Sequence, residues 1–246
     1  MGVRDRLPDI DWVNIPGGPF RYGDEQVREV SLSTFQVARY PITNAQYQCF
    51  IDDDGYETDI WWRDLAERPE PARPAWSAPN HPRERVSWYE AMAFCKWLDA
   101  RLRERSKIPG GWGVRLPYEQ EWEKAARGAD GRDYPWGEFR EGFANINDTV
   151  DGSPNYLGRT AAVGIYPQGA SPYEALDMAG NVWEWCLDKY DSPDDTPLKS
   201  KAARVVRGGS WMNFRGNARC AFRYYYFAGF RRLNVGFRVV CGCPIR

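Results

Sequence analysis

Along the chain the spacing of apolar positions alternates between a helical and a strand-like period, and helical spacing is cleanest where a start signal precedes it. Ser87 stands three residues before Glu90, the pattern in which hydroxyl and carboxylate cap one another's backbone N–H. Ala91, Phe94, Cys95, Leu98 and Leu102 follow at helical intervals, so the clearest helix is predicted here. A shorter helix is predicted behind Thr43 as N-cap, with Ala45, Tyr47, Phe50 and Ile51 on its apolar side. A third begins at 115–119, buries Trp122, Ala125 and Ala126, and ends at Gly128.

Strand signals are shorter. Residues 11–23 read as two strands joined at Pro16-Gly17-Gly18 into a hairpin, and 30–37 alternate as one further strand. Residues 163–167 read as a short strand, and 176–185 as a turn feeding a strand. Between them lie polar loops at 52–85, with a short helix around Trp61, and at 188–201. Neither linker nor repeat interrupts the pattern. The expectation is one α+β domain over 1–246, loop-rich, with two to three helices against few short, mostly antiparallel strands.

Composition sharpens this picture: 12 Trp, 14 Tyr and 11 Phe beside 23 Gly and 18 Pro point to a core held by rings and connected by turns. Six scattered cysteines and the single His81 do not make a zinc pattern, and Cys241-Gly242-Cys243 is too close for a CxxC motif. No run of eighteen apolar residues predicts a membrane helix. The first twelve residues lack the apolar centre of a secretion signal, and Arg6 stands where myristoylation wants Ser or Thr. A cytoplasmic protein with reduced thiols is therefore expected.

Charge then singles out residues 204–246, which hold nine arginines, no lysine and no acid, while the whole chain carries −1. The stretch has two textures. One is a frame of Arg207, Gly208, Gly209, Ser210, Trp211, Arg219, Cys220, Ala221, Arg223, Arg231 and residues 235–240. The other is the set Met212, Asn213, Phe214, Asn217, Phe222, Tyr224, Tyr225, Tyr226, Phe227, Gly229, Phe230, Arg232, Leu233 and Asn234, read as ligand-binding. The run Tyr224-Tyr225-Tyr226-Phe227 has no period, so some rings are expected at solvent, where Tyr and Arg dominate contact energies. Burial of all four rings under loops is the other arrangement open to it. The five frame arginines are expected to pair with the acidic first two hundred residues, which leaves a weak basic signal and disfavours nucleic acid.

Several motifs carry a resemblance. They are Ile15-Pro16-Gly17-Gly18-Pro19-Phe20, Pro41-Ile42-Thr43-Asn44-Ala45-Gln46-Tyr47, His81-Pro82 before Val86-Ser87-Trp88, and Arg115-Leu116-Pro117 before Glu121-Trp122-Glu123. Further on come Tyr134-Pro135-Trp136-Gly137, the segment 177–185, Arg207-Gly208-Gly209-Ser210-Trp211 and Gly236-Phe237-Arg238. In this order and spacing the chain resembles the formylglycine-generating-enzyme, or sulfatase-modifying-factor, domain, which implies a C-type-lectin-like fold. In that family two cysteines a few residues after Gly-Gly-Ser hold copper and oxidise a substrate cysteine. The first position falls here on Asn213 and the second within 215–218, which has no cysteine, so neither copper nor a catalytic residue is expected. Cys220 matches a later, non-catalytic position. The related ergothioneine-forming enzymes need an iron site built from histidines, which the single His81 does not supply.

The alternation of frame and variable-looking residues is similar to the variable proteins of diversity-generating retroelements. There, template AAY codons become codons for Asn, Tyr, Phe, Arg, Gly, Leu, Ser or Asp while frame codons stay fixed. Met212 and Ala228 fit that set least, since Met cannot arise from AAY by adenine changes. The resemblance implies a ligand-binding display protein with 204–240 as its variable region and a protein or other macromolecule of unknown identity as ligand. A static interaction module of the same family, or a formylglycine-type oxidoreductase, are the other readings. It also implies structural calcium, at one site through Asn145, Ile146, Asn155 and Leu157 and at a second through Asp177, Gly180, Val182 and Glu184. A monomer is expected, since neither heptads nor a long edge strand are predicted.

Overall fold

In the computed structural model, which describes residues 7–150, 153–193 and 195–243 (backbone alone at 149–150 and 153–155), helix α2 (Trp88–Glu104) runs through the main core. Its start is the predicted reciprocal cap: Glu90 N donates to Ser87 Oγ, and Ser87 N donates to Glu90 Oε2 at 2.8 Å. The predicted apolar positions are buried, and so are Trp88, Tyr89, Met92, Ala93 and Trp97, so the helix is enclosed almost all round. Helix α1 (Asn44–Asp52) packs beside it behind a second reciprocal cap, Thr43 with Gln46. Asn44, Tyr47 and Phe50 form its buried side, and Ala45, expected there, faces solvent because it follows the cap on the outer side of the first turn. Helix α3 (Glu119–Arg127) ends at Gly128 with φ 72° and buries five charged side chains beside its apolar ones: Glu119, Glu121, Glu123, Lys124 and Arg127.

Twelve short strands are described: β1 (Trp12–Ile15), β2 (Gly18–Tyr22), β3 (Arg28–Leu32), β4 (Phe35–Ala38), β5 (Gly113–Arg115), β6 (Asp148–Val150), β7 (Ser153–Asn155), β8 (Trp183–Lys189), β9 (Ala203–Arg207), β10 (Arg223–Phe227), β11 (Val235–Gly236) and β12 (Val240–Gly242). They form two four-stranded sheets, ordered β1-β4-β12-β5 and β10-β9-β8-β11, and two ribbons, β2-β3 and β6-β7. All pairs are antiparallel except β11 with β8. This mixed α+β arrangement of three helices and short sheets is the expected class.

Local expectations fail where partner choice is non-local. β1 and β2 do not form a hairpin with each other: β1 pairs with β4 and β2 with β3. Gly18, at φ 114°, turns the chain out of one sheet and into the other. The alternating stretch 30–37 is cut into β3 and β4 at Ser33-Thr34, where Gly17 N donates to Thr34 Oγ1 at 3.0 Å. Residues 163–167 are a turn, not a strand; Val163 N donates to Asn80 O and a 3₁₀ turn follows at Pro167–Gly169.

Candidate ligand-binding surface

β9 is buried almost throughout and delivers the chain to Gly208 and Gly209, at φ 92° and 72°. A side chain at Gly209 would also meet Asn217 O at 3.0 Å, so the turn needs glycine twice over. Trp211 follows, 5% exposed, with Trp76 edge-on at 5.3 Å and Tyr156 at 5.9 Å. A 3₁₀ turn (Arg215–Ala218) leads to β10, which returns antiparallel along β9, Arg223 opposite Arg207 and Phe227 opposite Ala203. β11 and β12 then close the two sheets.

What holds this path is ionic, and all five frame arginines meet acids. Arg207, 1% exposed, donates to Glu119 at 2.8 Å, to Glu123 at 2.5 Å and to Cys220 O at 2.6 Å. Burial works to lower its pKa, and Glu123 and Glu119 reverse that, so the guanidinium stays charged. Arg223 takes both oxygens of Glu119 at 2.9 Å and lies over Tyr190. Arg231 binds Glu90 at 2.7 Å, Arg219 binds Asp24 through two bonds, and Arg238 binds Glu184 at 2.6 and 2.7 Å. Arg204 has carbonyls in place of an acid, Leu187 O and Pro197 O, and sits 3.9 Å from the Trp88 centroid; burial brings it down to about 10. Such buried pairs contribute little net stability but fix one arrangement, since removing one partner strands the other.

Outside this frame lie the residues of the second texture. Eight are exposed: Met212, Phe214, Tyr224, Tyr225, Phe227, Gly229, Phe230 and Arg232, with large apolar side chains from 40% exposed at Tyr225 to 66% at Phe214. Asn213, Asn217, Phe222, Tyr226 and Leu233 are half-buried. Asn234 is buried; its amide donates to Ser210 Oγ at 3.0 Å, and Ser210 Oγ donates to Asn213 Oδ1, so both asparagines are tied to the frame. Of the two residues least like the set, Ala228 is fully buried, its carbonyl accepting from Trp88 N, while Met212 is exposed.

The rings touch one another. Tyr224 stacks on Tyr225 at 5.4 Å and on Trp183 at 5.8 Å; Tyr225 meets Tyr190 at 4.7 Å; Phe227 meets Phe230 at 5.6 Å. Arg232 lies over Tyr226 at 4.9 Å and Phe230 at 5.7 Å. Tyr190, Trp76 and Tyr156 join this surface without having been singled out, and Trp183, 2% exposed, lies beneath it. Trp183 sits inside a recognised motif, but Tyr190, Trp76 and Tyr156 lie in polar loops with no periodic signal.

The other candidate sites fare differently. His81 Nδ1 lies 2.8 Å from Thr160 Oγ1, and burial lowers its pKa; it is a loop hydrogen-bonder. None of the six described cysteines is in a disulfide; Cys243 is exposed and Cys49 half-buried, burial raises the thiols of Cys95, Cys186 and Cys220, and it pushes Cys241 up to about 11. For calcium, the second set does not fit as drawn: both oxygens of Glu184 are taken by Arg238, and one also accepts from Trp122 Nε1 at 2.6 Å. Asp177 accepts from Gly164 N at 2.7 Å, and its carboxyl is raised by burial to about 6. Both carboxylates of this set are thus engaged within the protein, which falls short of the oxygen-rich shell calcium takes. In the first set Asn145 Nδ2 donates to Arg159 O, Asn145 O accepts from Asn181 N, Ile146 is buried and Leu157 exposed, while the side chain of Asn155 lies outside the described residues. Among the described residues no cluster of three His, Cys, Asp or Glu side chains could hold a metal ion, and no helix is long and apolar enough to cross a membrane.

Comparison with known proteins adds to this geometry. Residues 3–242 match the domain described as sulfatase-modifying factor enzyme 1-like. The chain is 32% identical to the hercynine oxygenase of Mycolicibacterium smegmatis over 92% of its own length, and spans 60% of that protein. It is 31% identical to the formylglycine-generating enzyme of Thermomonospora curvata, covering 81% of this chain and 82% of that one. Its fold is shared with the solved structure of Treponema denticola variable protein 1, at a TM-score of 0.69, 22% identity and 94% coverage of both chains.

Proposed function

We propose that this chain, which belongs to the sulfatase-modifying factor enzyme 1-like family, is a non-catalytic ligand-binding protein that displays a diversified surface from residues 212–233 on a C-type-lectin-like scaffold. One observation carries the reading. Within a single stretch, the residues of frame type are buried or ion-paired, and eight of the fourteen residues of variable type are exposed, five of them aromatic. A face that must accept many sequences has to lie outside the core, where a large-to-small change costs about 2–5 kcal/mol. Exposed Tyr and Phe offer wide contact area with few rotors, which is the economy of antibody paratopes.

Catalysis of the formylglycine type needs accessible thiolates. Where the enzyme members carry them, this chain has Asn213, tied to Ser210 and Asn147, and the thiol-free turn Arg215–Ala218. The relatives with enzyme names bear on the family and not on this site.

The test is to sequence the DNA around the gene. A near-copy of the segment coding for 204–240, with AAY codons at the exposed positions and a reverse-transcriptase frame beside it, is the expected result. A locus without such a copy overturns diversification and leaves a static module.

A further inference from the structure

We propose that the partner of this face is an acidic polypeptide segment and that Arg232 takes its carboxylate; this rests on the binding-surface reading and names the chemistry of what binds. Residues 204–243 carry eight arginines and no acid. Six of the eight are engaged within the protein: Arg204 on carbonyls, and Arg207, Arg219, Arg223, Arg231 and Arg238 on carboxylates. The two that remain, Arg215 and Arg232, are exposed, and no acid pairs with either among the described residues. Each lies over a ring, Arg215 on Phe139, Arg232 on Tyr226 and Phe230. Stacking holds a guanidinium in place while its N–H edge stays free, the arrangement that grips a carboxylate through two bonds.

The charged groups around Arg232 are already matched. Arg85, whose N donates to Arg232 O, lies 3.8 Å from Glu84; Arg231 holds Glu90; Glu67, beneath Gly229, is 3.2 Å from Lys201. The unmatched charge of the patch is therefore Arg232's own. A polypeptide is favoured over nucleic acid by β10, which supplies the ring under Arg232. It forms the edge of its sheet, and its sequence, Arg-Tyr-Tyr-Tyr-Phe, holds none of the lysine, proline or bulge that blunts an edge. Its outward N–H and C=O groups can take an extended strand, and an acidic side chain on that strand opposite Tyr226 reaches Arg232.

The experiment titrates the purified full chain into a fluorescently labelled random copolymer of glutamate and tyrosine. A lysine–tyrosine copolymer and polyuridylate serve as comparisons, and R232Q and the double variant F227A/F230A are run beside wild type. The glutamate copolymer is expected to bind at least about tenfold more tightly than the other two, more weakly as salt rises, and R232Q to lose about tenfold of that affinity with its melting temperature unchanged. Equal or tighter binding of either comparison polymer, R232Q binding as well as wild type, or no binding of the glutamate copolymer each overturns the acidic partner. If F227A/F230A weakens all polymers alike without a preference for glutamate, the binding face stands and the acidic partner falls. Binding that no variant of the face alters discards both.

Discussion

Arg207 lies opposite the first residue of β10 and Phe227 is its last, one sealed in the core and one 53% exposed, and alanine at each measures a different cost. Arg207→Ala leaves Glu119 and Glu123 buried without their shared cation and is expected to lose about 3–5 kcal/mol in urea unfolding. Phe227→Ala is expected to stay within about 0.5 kcal/mol, as surface changes do. Asp188 gives the same scale a pH dependence. Its Oδ2 accepts from Glu119 N, and burial raises its carboxyl to about 7. A folded value above the unfolded one means the folded chain holds a proton the unfolded chain has released, so stability falls as pH rises from about 4 to about 7. Asp188→Asn keeps an acceptor for Glu119 N and removes the penalty. It is expected to raise the melting temperature by about 2–4 °C at pH 8 and to leave it unchanged near pH 4.

At the scale of elements, Glu90 joins a helix start to the exposed aromatic face. It caps α2 through Ser87, accepts from Tyr56 OH, and receives Arg231. Glu90→Ala therefore removes a cap and strands a guanidinium, and a loss of about 3 kcal/mol or more is expected. Hydrogen exchange should quicken across 228–234, where Arg231 anchors the loop, and a protected loop in the variant would contradict this linkage. The helix starts were legible in the sequence because a cap is a local device: Ser87 with Glu90, and Thr43 with its neighbours, need only their own turn. Strand partners were not, because alternation states which face is apolar and says nothing of which strand lies alongside. β1 and β2 alternate as a hairpin would, yet join different sheets.

At the scale of the whole molecule, scaffold and face are separable, and combined substitution tests it. Changing Met212, Phe214, Tyr225, Phe227 and Phe230 together to serine is expected to leave a cooperative fold with a melting temperature within about 5 °C of wild type, since each exposed site adds only a small cost. The exposed face was half legible from residue types: a stretch rich in arginine and rings, without acids, had to place some rings outward. The rings that complete it were not, because Trp76, Tyr156 and Tyr190 come from loops far along the chain and meet the face only in three dimensions. Asn213 and Asn234, alike in type to their exposed neighbours, belong to the frame through Ser210. The position of the closing strands has a consequence for folding. β12 lies between β4 and β5, and β9 between β8 and β10, so neither four-stranded sheet is complete before residues 203–242 have joined it. A substitution in the frame that keeps these strands out leaves both sheets open, and chains in that state go to the proteases that clear unfolded protein. Folding thus acts as a proofreading step on the stretch that carries the frame.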